Sequence, residues 1–298
     1  VTAPMNLQRA AVEGDDLLFE TPGGLRQALH DGCLRLAIPA DLDLAPGIRL
    51  CKRFYRPAEP VGAPESGYTG FRGREGIYFD REHFQTEHLL VDESDRRRSL
   101  PVEVVRMCER MDDLALLVLR AALAELAVPE HLWEQITGGA VAGGGTRWFA
   151  ASHYRPERRQ LGCAPHQDTG FVTLLYIEQD GLESHIDGEW TPIDPAPGYF
   201  VINFGGAFEV LTEPLAPRVR AILHRVRQCE PNPEQGDRFS FAAFLNPPAT
   251  GHLYQVRPDN TVDQLRTVEE FLRDFNRATW DDGYQDFGIV GSAAEAGS

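Results

Sequence analysis

Hydrophobic and polar positions change their rhythm near residue 146. Before it, apolar residues recur at helical spacing. Pro101 to Leu126 is the clearest case: Val104, Val105, Cys108, Met111, Leu114, Leu117, Val118, Ala121 and Ala122 form a wide apolar stripe behind a proline that opens the helix. The pattern also predicts a short helix over Gly23 to Gly32 with a glycine C-cap, a strand over Cys33 to Ile38 stopped by Pro39, a helix from Asp41 to about Tyr55, and a helix from Pro129 to Ile136. Residues 1–20 read as a loosely packed lead-in, and 56–79, rich in Pro and Gly, as a long loop or broken hairpin. The glycines at 138–139 and 143–145 read as a flexible connection, because no Gly-Lys-Ser/Thr ends them.

From Thr146 to about Arg257 the period falls to two. The segments TRWFAASHY, FVTLLYI, LESHI, EWTPI, YFVINF, FEVLT, VRAILHRVRQ, RFSFAAFL and HLYQV read as short strands, and Asp187-Gly188 marks a two-residue hairpin. A last helix is expected from Val268 to Thr279, and a disordered tail after it. The fold class is therefore mainly β with flanking helices, around a distorted double-stranded β-helix, or jelly-roll, core. Residues 1–145 form a helical or mixed support region, 146–260 the core and 261–298 the helix and tail, within one structural domain overall.

Composition narrows the partners. A formal charge of −16 and a pI near 5.0 argue against nucleic acid, which needs basic surface. No apolar run is long enough to span a membrane, and residues 1–20 lack the apolar centre of a secretory signal. Five cysteines without C-x-x-C spacing argue against a disulfide framework or a thiolate zinc site, and make a reducing cytoplasm the expected location. Cys163 is expected to be a small apolar wall residue. Lys52 is the one lysine among many arginines, the bias of a GC-rich genome.

The chemistry centres on PHQDTG at 165–170, ahead of the apolar run FVTLLY. Read as the head of one strand, His166 and Asp168 share a face. A neutral imidazole and a carboxylate there are two of the three ligands of a 2-His-1-carboxylate triad, which holds Fe(II) and keeps three positions open. His224, on a separate predicted strand, is the candidate third ligand. His30, His83, His88 and His131 fall in predicted helices, loops or exposed hairpins; His153 and His185 stay open as alternatives. Arg238 and Ser240 lie two apart on a later strand, with Phe239 and Phe241 on its other face. A guanidinium beside a hydroxyl suits a carboxylate. Arg72 and Arg74 could meet an anionic substrate, but a solvated role is the simpler reading.

From about Trp148 to Pro248 the chain resembles the iron- and 2-oxoglutarate-dependent oxygenases of the isopenicillin N synthase-like family. That family includes the expandases and the plant flavonoid, gibberellin and ethylene-forming oxidases. The resemblance rests on Tyr154 in SHYRP, PHQDTGFVTLLY, DGEWTPIDPAPGYFVINFGGAFEVLT, HRV, and RFS followed by Asn246-Pro247-Pro248. It implies iron held by His166, Asp168 and His224. It also implies the 2-oxoglutarate C5 carboxylate on Arg238 and Ser240, with Tyr154 near the co-substrate. The implied chemistry uses O₂ and turns 2-oxoglutarate into succinate and CO₂ while a C–H bond is oxidised. Three departures stand out: Ser152 replaces the usual asparagine, Gly206 stands where an acidic residue is common, and the 224–238 connection is closer in length to the bacterial expandase type.

The resulting expectation is a dioxygenase acting on a small molecule in bacterial secondary metabolism, as a monomer or weak homo-oligomer. An iron oxidase of the same fold without 2-oxoglutarate, or a catalytically silent binding protein, are the alternatives. Phe171, Tyr176, Phe208, Phe241 and Phe244 are expected pocket walls, with the 68–79 loop and the C-terminal helix as lids.

Overall fold

The computed structural model describes residues 3–53, 72 and 74–279. In chain order the elements are strands β1 (Arg9–Glu13) and β2 (Asp16–Phe19), helix α1 (Gly24–Asp31), β3 (Cys33–Ala37), α2 (Ala45–Arg53), β4 (Tyr78–Asp80), β5 (Thr86–Asp92), and helices α3 (Glu93–Ser99), α4 (Val102–Glu125) and α5 (Glu130–Ile136). Then follow β6 (Thr146–Tyr154), β7 (Cys163–His166), β8 (Val172–Ile177), β9 (Leu182–Ile186), β10 (Glu189–Pro192), β11 (Tyr199–Phe204), α6 (Gly206–Thr212), β12 (His224–Val226), β13 (Phe239–Asn246), β14 (His252–Val256), β15 (Val262–Thr267) and α7 (Val268–Thr279).

The major sheet runs β2-β1-β3-β11-β8-β13-β6-β5-β4 and the minor sheet β10-β9-β12-β7. All the pairings are antiparallel except β1 with β3. The stripe of α4 packs onto β8 and β13, burying Val104, Cys108, Met111, Leu114, Val118 and Leu119. Each such side chain contributes about 1.5–3 kcal/mol of apolar burial. Strand β13 shows how the period of two divides the labour. Phe239, Phe241, Ala243 and Leu245 join the core under the helices, while Ser240, Ala242, Phe244 and Asn246 line a cavity on the opposite face.

Several expectations change. Residues 1–20 are not a loose lead-in: β1 and β2 form a hairpin through Gly14, whose φ of 63° suits the turn, and β1 extends the major sheet through its pairing with β3. The segment FEVLT is helix α6, not a strand. Ala207, Phe208, Leu211 and Thr212 share its buried face, and a stretch this short satisfies either period. In VRAILHRVRQ only His224–Val226 is in a ladder, and α2 starts at Ala45 rather than at Asp41. Strand β5 went unread because half of TEHLLVD is polar, although six of its seven residues are buried. Most of the expected 56–79 loop lies outside the described residues.

Candidate metal and co-substrate site

His166 ends β7 and His224 opens β12, and the two are direct partners across the minor-sheet ladder. Asp168 is on no strand; it sits in the connection from β7 to β8. Asp168 therefore does not share a strand face with His166: the turn after β7 brings it round to the two rings. One ligand atom from each of His166, Asp168 and His224 lies within 4.8 Å of the others. The imidazole centroids are 4.4 Å apart, and His224 Nε2 is 3.9 Å from Asp168 Oδ1.

Each imidazole is oriented in the same way. His166 Nδ1 is 2.8 Å from the carbonyl of Ala164 and His224 Nδ1 is 3.1 Å from that of Ile222. A carbonyl only accepts, so each Nδ1–H donates, and in the neutral ring Nε2 carries the lone pair that a metal needs. The main chain around Asp168 is gripped by the start of α6: Gly206 N–H donates to the Asp168 carbonyl (2.7 Å) and Ala207 N–H to that of Thr169 (3.0 Å). Gly205 permits this approach, since a Cβ there would clash with the Gly170 carbonyl and lie 2.9 Å from that of Asp168.

The three groups open onto a cavity of about 190 Å³ between the two sheets. Arg238 and Ser240, both about 5% exposed, line it from the major sheet. Arg238 Nε donates to the Asp180 carbonyl at 2.9 Å, and the guanidinium lies 4.4 Å over the ring of Tyr154. The Tyr154 hydroxyl is 3.5 Å from Ser240 Oγ, and burial pushes the phenol pKa up against the pull of Arg238. Arg238 Nη1 is buried with no hydrogen-bond partner among the described residues. A buried cationic donor left unmet is costly, and a carboxylate in the cavity would satisfy it. The donor set fits an Fe(II) ion, and the clamp fits the far carboxylate of a 2-oxo diacid.

The remaining walls are mostly apolar. Leu90, Trp148, Ala150, Phe244, Leu272 and Phe275 contribute, so α7 closes the cavity as expected. Of the five expected aromatic walls, Phe241 and Phe244 line the cavity. Phe171 and Phe208 are core residues packed edge to face, and Tyr176 stacks on the ring of Phe241 (4.7 Å) beneath the sheet, although Phe241 also borders the cavity. Ser152 lines the cavity, and so does Cys163, which is a wall residue; all five cysteines are free and buried.

His88 was misplaced by the sequence reading: it is on buried β5, opposite Ser152, and borders the cavity. Burial, reinforced by the neighbouring Arg81, holds its pKa well below the usual range, and Arg81 Nε donates to its Nε2 at 3.2 Å. The two open alternatives lie elsewhere. His153 bridges Glu87 (2.9 Å) and Asp237 (3.1 Å), and His185 packs on Trp190. Arg72 stays about half exposed, does not line the cavity, and pairs with the buried carboxylate of Glu87.

The chain is similar to known proteins. The chain is 29% identical over 181 residues to gibberellin 20 oxidase 2 of Oryza sativa, covering 56% of this chain and 43% of that protein. It is 34% identical over 147 residues to 1-aminocyclopropane-1-carboxylate oxidase 5 of Arabidopsis thaliana, 47% of this chain and 46% of the other. The matches thus span less than half the length of these relatives. Among solved structures, JOX2 in complex with 2OG, Fe and JA superposes with a TM-score of 0.65 at 19% identity, covering 92% of this chain and 86% of that one. The rice dioxygenase for auxin oxidation gives 0.64 at 20% identity, over 92% and 95%. Both show the double-stranded β-helix fold. Residues 146–247, which hold His166, Asp168, His224, Arg238 and Ser240, match the family model of the 2OG-Fe(II) oxygenase superfamily.

Proposed function

We propose that this protein is a non-haem Fe(II)/2-oxoglutarate-dependent dioxygenase that oxidises an unactivated C–H bond of a small molecule, by hydroxylation or desaturation. The observation that carries this reading is the meeting, in one cavity, of the His166, Asp168 and His224 ligand atoms with the unmet Nη1 of Arg238. When bound, iron with 2-oxoglutarate supplies the oxidising power.

The protein's part is positioning. His166, Asp168 and His224 hold the metal on one face. Arg238 with Ser240 fixes the distal carboxylate of the co-substrate, and Tyr154 backs the guanidinium. The apolar walls exclude water and seat a substrate with an apolar body, and α7 closes over it. Neutral His88, opposite Ser152, adds a polar contact to the cavity wall. The acidic surface argues against nucleic acid as the substrate. No helix among the described residues is long and apolar enough to cross a membrane. We place the enzyme in the cytoplasm, as a monomer or weak homo-oligomer, and in bacterial secondary metabolism, the last on arginine-rich composition and analogy alone.

The test is O₂ uptake and succinate formation with Fe(II) and 2-oxoglutarate across a panel of small apolar metabolites. Succinate formed in step with a substrate-derived product is expected. Product without succinate would make this an iron oxidase independent of 2-oxoglutarate, and absence of Fe(II) binding in an anaerobic titration would make it a binding protein.

A further inference from the structure

We propose that Asn203 is a positioning residue that decides which oxygen of Asp168 meets the metal. The proposal rests on the iron-site reading above. Asn203, near the end of β11, is 2% exposed and lines the cavity. Its Nδ2 donates to Asp168 Oδ2 across 3.3 Å, a long hydrogen bond, while Oδ1 of the same carboxylate is the oxygen turned toward His224. An ionised carboxylate only accepts, so the amide must present its NH₂ to Asp168. Asn203 Oδ1 is then left buried with no hydrogen-bond partner among the described residues. A buried acceptor without a partner is costly, and an amide kept only to knit the sheet would have both ends met.

The backbone bonds from Gly206 and Ala207 already fix the path of the chain at Asp168. What Asn203 adds is inequivalence of the two carboxylate oxygens. With Oδ2 engaged, Asp168 would offer a metal Oδ1 alone, so the protein would supply three ligand atoms. The positions left open would be the ones a 2-oxo acid and O₂ need. A carboxylate free to bind through both oxygens would consume one of them. Asn203 is thus a residue of YFVINF whose task lies outside the strand it belongs to.

The experiment uses Co(II) as the probe, titrated anaerobically into the wild-type chain, Asn203→Leu (similar volume, no donor) and Asn203→Ala. Visible absorption reports the coordination of Co(II), and 2-oxoglutarate is then added to each loaded form. The expected result is a 10- to 100-fold loss of Co(II) affinity in both variants, the range for removing an outer hydrogen bond to a ligand. An altered Co(II) spectrum and weaker 2-oxoglutarate binding accompany it, at an unchanged circular dichroism signal. Wild-type affinity and an unchanged spectrum in a folded variant would overturn the proposal. If Asn203→Leu does not fold, Asn203→Ala carries the same readout. Failure of the wild-type chain to bind Co(II) would instead bring down the iron-site reading, so the two failures are distinguishable.

Discussion

His166 and His224 face one another directly across the β7–β12 ladder, and each turns Nδ1 back to the carbonyl two residues before it in the chain. Orientation of both rings is therefore built into the local backbone and does not wait for the ion. His166→Ala or His224→Ala, read by anaerobic metal titration, is expected to weaken Fe(II) binding by more than about 100-fold, beyond the effect of losing an outer hydrogen bond. Turnover is expected to vanish with it. Retained activity in His224→Ala would mean that the third ligand is another residue.

The clamp separates charge from geometry. Arg238→Lys keeps the positive charge but loses the planar fork and its stacking on Tyr154. Its KM for 2-oxoglutarate is expected to rise about 10- to 100-fold, a loss of ~1.4–2.8 kcal/mol. Ser240→Ala removes one neutral partner and is expected to cost less, ~0.5–1.5 kcal/mol. Steady-state succinate assays at varied 2-oxoglutarate check both, and equal effects would contradict the division of roles.

Gly205→Ala tests the grip of the start of α6 on the Asp168 loop. Its Cβ would meet the carbonyls of Gly170 and Asp168, and backbone cannot give way as a flexible side chain can. A loss of ~1–3 kcal/mol is expected from the overpacking, read as a lower urea midpoint. Because the displaced connection carries Asp168, metal affinity should fall as well. A variant with normal stability and normal affinity would show that the approach is looser than the geometry implies.

Acid should loosen the far edge of the sheet through Glu87. Burial opposes its ionisation, but hydrogen bonds from His153, Arg72 and Tyr78, with Arg155 nearby, win and hold the carboxyl well below the usual carboxylate range. A depressed folded pKa gives stability that is complete above the unfolded value of about 4.3 and is lost as pH falls below it. Urea midpoints at pH 7 and near pH 3 should therefore drop less steeply for Glu87→Gln than for the wild-type chain, while the variant is the less stable at pH 7. Parallel slopes would remove Glu87 from the account.

The sequence yielded the residues that break an apolar pattern with unmistakable chemistry. His166, Asp168, His224, Arg238 and Ser240 could each be named because a metal or carboxylate role needs those side chains in β surroundings. Asn203 and His88 break the pattern too, but a single polar residue within YFVINF or TEHLLVD has no chemistry of its own until its neighbour across the sheets is known. Helix α6 shows the opposite difficulty. Its β-branched and aromatic residues suit a strand locally, and only the buried face formed by Phe208 and Leu211 decides for a helix. The β1–β2 hairpin was hidden because its pairing with β3 is a long-range contact that no local window contains.

His166 and His224 belong to the minor sheet, and the proposed Arg238–Ser240 clamp lies on the major one. A diacid reaching from one group to the other would be a clasp between two layers. The mechanical consequence is that the sandwich should breathe less when the clasp is in place. Amide protons of β7 and β12 would then exchange more slowly with metal and 2-oxoglutarate than with metal alone.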